Sequence, residues 1–182
     1  GNGTGGEAEV SGKAKLAYTG FTNLSGPGGF GTLLLDPSAF DITISDDATS
    51  NSSGTTATGD DSVINVATLT DALAGANVTI TTSPSSGGSQ AGDLTVATAI
   101  SWSADTILTL AADGDLAINA DISATGDHAG LRLIADGDYV FNDGASATLS
   151  GASASLRIDD VAYTLIRSMA DIDAIDASST NP

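Results

Sequence analysis

The chain holds one histidine, His128, in the segment Gly126-Asp127-His128-Ala129-Gly130. Hydrolytic chemistry would need its imidazole oriented by a carboxylate and within reach of a serine hydroxyl. Asp127 is adjacent, but neighbours on a turn rarely align that way. No Gly-x-Ser-x-Gly elbow is present, and the serines sit in tracts such as Ser-Gly-Gly and Ser-Ala-Ser. Cysteine is absent, which excludes thiol nucleophiles, disulfides and thiolate metal sites. One histidine with carboxylates alone is a poor zinc set. His128 therefore reads as a solvent-facing loop residue, and no residue is assigned to catalysis.

Among the carboxylates, Asp46-Asp47 and Asp60-Asp61 bracket a polar loop, and calcium takes oxygen ligands. These four are the candidate calcium ligands, although neither an EF-hand spacing nor a nine-residue glycine-aspartate repeat is present. Their other role is charge that keeps the chain in solution. No other cofactor is expected. Glycoside hydrolysis needs two opposed carboxylates at a set separation. With 21 Asp available, mere proximity of carboxylates says little about it.

Arg132 lies between Leu131 and Leu133, and Arg157 between Leu156 and Ile158. Strand alternation turns both guanidinium groups outward, on nearby strands. They are candidate contacts for an acidic ligand. Their other role is to offset Asp136, Asp159 and Asp160, in exposed pairs worth ~0–1 kcal/mol. The net charge is −18, with only Lys13, Lys15, Arg132, Arg157 and Arg167 basic. That argues against nucleic acid and anionic membranes, which need clustered Lys and Arg, and it repels polyanionic substrates. No apolar run reaches the length of a membrane span, so no membrane insertion is expected. Trp102 follows Ile100 at strand spacing and is expected inside the core, the alternative being an exposed platform for stacking a sugar.

The elements that must carry these residues are strands. Gly, Ala, Ser and Thr supply 95 of 182 residues and aromatics only 4%, so the core is aliphatic. Asp outnumbers Glu 21 to 2, which favours turns over helices. From about residue 92, short alternating runs recur: Leu94-Thr95-Val96, Ile100-Ser101-Trp102, Leu108-Thr109-Leu110, Leu116-Ala117-Ile118, Leu131-Arg132-Leu133, Tyr139-Val140-Phe141 and Leu156-Arg157-Ile158. Val96, Ile118 and Val140 advance by 22 residues, and Leu110, Leu133 and Leu156 by 23. Such a period predicts an all-β fold, a right-handed parallel β-helix whose courses bury their apolar faces against one another. Roughly seven or eight courses at ~4.8 Å would make a rod of about 35–40 Å. The turns Ala112-Asp113-Gly114-Asp115 and Ala135-Asp136-Gly137-Asp138 fall at equivalent places. There Gly is expected to supply positive φ and Asp to bond its own backbone.

Two short helices complete the expectation. One takes Thr68 as N-cap, Asp71 at the third position and Gly75 as its stop. In the other, Ser168-Met-Ala-Asp171 repeats the capping pattern before Ile172 and Ile175. With Leu165 and Met169 these are spaced for a helix that covers the open carboxy-terminal end. Residues 45–62 and 82–92 read as polar surface loops. The organisation is a single segment, 1–182: first courses in 1–44, a polar loop in 45–62, repeating courses in 63–163 and a capping helix region in 164–176. Beginning at Gly1 with no signal peptide, the chain is expected to be cut from a longer protein.

The run GGEAEVSGKAKLAYTG, then GTLLLDPSAFDITIS, INVATLTDALAGANVTI, GDLTVATAISWSADTILTLAADGDLAINADISATG and YTLIRSMADIDAID resembles the central shaft of filamentous haemagglutinin-type exoproteins. These are large bacterial proteins exported by two-partner secretion. The match covers nearly the whole chain in order, with LLLDP before the ITI strand, and later AISW, as its most specific pieces. The resemblance implies a secreted β-helical shaft at the bacterial cell surface and an outer-membrane secretion partner. It also implies a role in adhesion, aggregation or contact-dependent delivery. Of the sequons Asn23-Leu-Ser25, Asn51-Ser-Ser53 and Asn77-Val-Thr79, it points to Asn51, in its loop, as the candidate glycosylation site.

The expected function is a non-enzymatic structural or adhesive segment of a surface adhesin. Its partners would be host or bacterial surface components, glycans among them. The alternatives are a glycan- or cell-binding module using a loop or outward face, and a polysaccharide-degrading β-helix enzyme.

Overall fold

The computed structural model of the chain describes residues 3–12, 21–37, 41–47, 61–82, 90–142 and 144–178. It is mostly β, with mostly parallel sheets and two short helices. The first part holds β1 (Glu7–Gly12), the antiparallel pair β2 (Ser25–Gly26) and β3 (Gly29–Phe30), then β4 (Thr32–Pro37), β5 (Ile42–Ser45) and β6 (Ser62–Asn65). Helix α1 (Val66–Leu73) leads into β7 (Asn77–Thr81). Then come β8 (Leu94–Val96), β9 (Ile100–Trp102), β10 (Ile107–Ala112), β11 (Leu116–Ile118), β12 (Ile122–Ala124), β13 (Gly130–Ala135), β14 (Tyr139–Phe141), β15 (Ala147–Leu149) and β16 (Ser155–Ile158). β17 (Val161–Tyr163) and α2 (Met169–Ser178) follow.

From β7 to β16 the chain deals its strands to three sheets in rotation. β7, β10, β13 and β16 pair in parallel within a seven-stranded sheet that begins with β1 and β4. β8, β11 and β14 do so in a five-stranded sheet, beside β5 and β6. β9, β12 and β15 form the third.

The period-2 pattern sends alternate side chains inward, and register stacks them. Leu33, Val78, Leu108 and Leu131 form one buried row, continued by Leu156. Ile44, Val96 and Ile118 form another. Buried Trp102 stacks on Ala124, a ring beside a methyl, and its indole N–H donates to the Thr106 carbonyl at 3.2 Å. That bond satisfies the polar end of the ring.

Register corrects both sequence tracks. The step from β8 to β11 is 22 residues, Leu94 to Leu116, but the next is 23, Leu116 to Tyr139. Phe141, not Val140, therefore follows Ile118. A one-residue shift exchanges a strand's faces, and Val140 lies opposite Ala117 and is 39% exposed. Leu156 stacks on Leu131 rather than Leu133, and Ile158 takes the place beside Leu133. That two-residue slip keeps the same face inward. Among the described residues six parallel strands, not seven or eight, build the longest ladder. β17 then turns back antiparallel to β16 through Asp159 and Asp160, at φ 47° and 64°. Two residues at positive φ are what a tight type I′ hairpin turn requires.

At the Asp-rich corners the Asp41, Asp93 and Asp115 carboxylates bond to amides of a neighbouring corner rather than to their own turn. The Asp41 carboxylate accepts from the Gly92 and Asp93 amides at 2.9 and 3.0 Å. Asp93 accepts from the Asp115 amide, and Asp115 from the Asp138 amide, each at 2.8 Å. A one-carbon stem spans a single strand spacing of ~4.8 Å, a physical reason to use Asp rather than Glu. Gly114 and Gly137 are there for clearance rather than for positive φ. A Cβ on either would come within 2.2 Å of the carboxylate of Asp93 or Asp115.

Both helices form, with two corrections. α1 is capped by Asn65, not Thr68: the Asn65 side chain accepts from the Ala67 and Thr68 amides at 2.9 and 3.4 Å. α1 buries Leu69, Ala72 and Leu73 and packs against β6, β7 and β9. At α2 the Asp171 carboxylate accepts from the Arg167 and Ser168 amides at 2.7 and 2.9 Å, while the Asp171 amide donates to Ser168 Oγ. These bonds, that from Arg167 first, hold the Asp171 carboxyl below its ordinary range. Met169, Ile172 and Ile175 are nevertheless exposed, so α2 does not seal the end of the stack. The expected 45–62 loop also loses its two ends to strands, Ser45 to β5 and Ser62 to β6.

Candidate functional site

Outward positions of the seven-stranded sheet align as Leu34, Thr79, Thr109, Arg132 and Arg157 on β4, β7, β10, β13 and β16. The alternation that buries Val78 and Ile80, Leu108 and Leu110, and Leu131 and Leu133 puts these residues on the other face. A neighbouring row places Ile107, Gly130 and Ser155 side by side. Of these, Thr79, Thr109, Arg132, Arg157, Ile107 and Ser155 line a groove of about 540 Å³, together with Thr32, Asn77, Leu131 and Asp160. Between Ile107 and Ser155 the ladder has room only for Gly130, because a Cβ there would meet Ser155 Oγ at 2.8 Å and Ile107 Cγ1 at 2.9 Å. Asn77 is fixed by its strand register and accepts the Ile107 amide through Oδ1 at 2.8 Å.

Arg132 and Arg157 are directly paired across the ladder. Like charges at such positions oppose each other. Asp160 answers both: its carboxylate forms an ion pair with Arg132, and its carbonyl accepts from Arg157 Nη2 at 2.7 Å. Arg132 Nε is buried without a hydrogen-bond partner. Asp159 turns the other way. Its carboxylate accepts the Tyr139 hydroxyl, which itself accepts the Ala135 amide at 2.7 Å. Burial, and then the bond to Asp159, push the Tyr139 phenol up to about 12. Of the three acidic residues expected to offset the arginines, Asp160 does so for Arg132 through its carboxylate and meets Arg157 through its backbone carbonyl.

The groove offers guanidinium, hydroxyl and amide groups and one exposed aliphatic side chain, Ile107. That set suits binding of an oxygen-rich, negatively charged small molecule. Sequence pointed to Asn77 and Thr79 as a sequon and to Thr109 as part of a strand run, but to none of these, nor to Ser155, as a ligand contact. The signal was available, since Thr79 and Thr109 interrupt aliphatic pairs just as Arg132 does.

The other sequence candidates lie elsewhere. His128 is exposed, with Nδ1 3.6 Å from the Asp105 carboxylate, which also accepts the His128 amide at 3.0 Å. Asp46 pairs with Thr98, and Asp61 accepts from Gln90 Nε2 at 2.8 Å. Because β5 and β6 run parallel, Asp46-Asp47 and Asp61 sit beyond opposite ends of a four-residue pair, five or more residue steps and so roughly 17 Å or more apart. Asp60 and Asn51 lie outside the described residues. Among the described residues no cluster of three or more His, Asp or Glu side chains is placed to hold a metal ion. No described helix is long and apolar enough to cross a membrane. No family model, curated protein or solved structure matches the chain.

Proposed function

We propose that the chain is a right-handed parallel β-helix serving as a non-enzymatic structural and adhesive segment of a large secreted bacterial surface adhesin. The observation that carries this reading is the rotation of strands through three stacked, parallel ladders. Such a stack extends by adding courses and presents a long lateral face. Right-handedness follows from the usual hand of parallel strand connections. The resemblance to filamentous haemagglutinin-type shafts supports the location, at the cell surface after two-partner secretion. His128 does not line the arginine groove, and Asp105, not a serine, faces its imidazole, which supports a binding role over hydrolysis.

The test is binding of the chain to host and bacterial cells, with calcium and with chelator, against an equally acidic control protein. Saturable binding that the control lacks is the expected result. Loss of that binding with chelator would bring the Asp46-Asp47 and Asp60-Asp61 carboxylates back as calcium ligands. Binding no greater than the control under both conditions would overturn the adhesive part and leave a spacer.

A further inference from the structure

The groove on the seven-stranded sheet has a charge arrangement that core packing does not require. Two guanidinium groups stand at paired positions in a chain of net charge −18. One carboxylate, that of Asp160, answers Arg132, while Arg157 meets only the neutral Asp160 carbonyl, because the Asp159 carboxylate is committed to Tyr139. Asp160 holds that place at φ 64°, a conformation disfavoured for side chains other than Gly, Asn and Asp. Two guanidinium groups thus share one side-chain carboxylate, and a ligand carboxylate would balance the remaining positive charge.

We infer that this groove binds a saccharide carrying a single carboxylate, which deepens and rests on the adhesive reading above. The ligand carboxylate takes the two guanidinium groups, whose planar forks match it in geometry. Thr79, Thr109 and Ser155 face the sugar hydroxyls, and Ile107 offers an apolar contact to the ring. The volume of about 540 Å³ suits one or two sugar units. The surrounding negative field disfavours polysulfated chains and leaves a mostly neutral sugar with one acid group as the fitting occupant.

The test is titration of the intact chain with glucuronate, glucose and inorganic sulfate, followed by calorimetry and by the arginine Nε–H resonances. Glucuronate is expected to bind saturably, at least about tenfold more tightly than glucose, and to shift an arginine Nε–H signal. Sulfate that displaces it with equal affinity would show plain ion pairing and overturn the saccharide assignment. Arg157→Gln, on an exposed side chain, should weaken glucuronate binding at least about tenfold. Arg167→Gln should leave it unchanged. Thr79→Val, near-isosteric and outward, gives a second reading should the arginine variant fold poorly, with weaker binding expected. Absence of saturable glucuronate binding, or unchanged binding in both Arg157→Gln and Thr79→Val, overturns the proposal. Cells bound equally by wild type and Arg157→Gln would remove the groove and leave adhesion standing. A chain that binds glucuronate through the groove but binds no cell would remove adhesion instead.

Discussion

Helix α1 and helix α2 are both started by side chains that accept orphan backbone amides, Asn65 for the first and Asp171 with Ser168 for the second. Each carries aliphatic residues at helical spacing. Yet Leu69 and Leu73 of α1 are fully buried, whereas Met169, Ile172 and Ile175 of α2 are 72%, 47% and 52% exposed. α1 sits between β6 and β7, packs on the leading strand of the three-stranded sheet and holds its last turn there, since Thr106 Oγ1 donates to the Leu73 carbonyl at 2.7 Å. α2 follows the hairpin that ends the parallel ladder, and the last strand of the five-stranded sheet keeps Phe141 44% exposed. A cap decides where a helix begins. Whether it stabilises the molecule depends on what lies under its apolar face.

The largest effect that sharpens this contrast lies in the stack between the helices. Ile118→Asp puts an unpaired charge where 1% of the side chain is exposed, at a cost of several kcal/mol. Chemical denaturation should find this variant unfolded. Val140→Asp, on the residue that sequence placed in the same row, should retain the far-UV spectrum and most of the stability. If the two variants behave alike, the register of β14 is misassigned.

The helices themselves come next. Leu69→Ala should cost about 2–5 kcal/mol in urea unfolding, the range for a buried leucine. Ile172→Ala should change stability by less than about 0.5 kcal/mol, as exposed positions do. Equal losses would mean that α2 is packed in solution and would erase the contrast.

The smallest expected effect is a pH dependence. Tyr139 is raised from its ordinary 10.0 to about 12, so its neutral form favours the folded state. That contribution is complete below pH about 10 and is lost as pH rises toward 12. Stability should fall across this window, and Tyr139→Phe should flatten the fall. An identical alkaline decline in the variant would separate the Asp159 contact from stability.

The candidate groove was partly legible. Arg132 and Arg157 stood out because each interrupts an aliphatic pair, and alternation alone places such residues outward. Asp160 was named only as a nearby charge. Its carboxylate and carbonyl meet two arginines because the chain reverses at Asp159-Asp160, a long-range event for a short polar pair. The corner aspartates were legible as turns but not as bridges, since their amide partners lie 22 or 23 residues away.

The amino-acid sequence by itself determined which residues alternate, and so which faces are apolar; it also determined the caps of α2 and the absence of thiol chemistry. Tertiary structure decided the register. A period of two residues is blind to shifts by an even number, so Leu156 could be read beside Leu133 when it packs beside Leu131. Variable loop lengths add or remove a single residue, and at β14 that exchanged Val140 for Phe141. Only the neighbouring strand, through its hydrogen bonds and the space left by its side chains, selects among these alternatives.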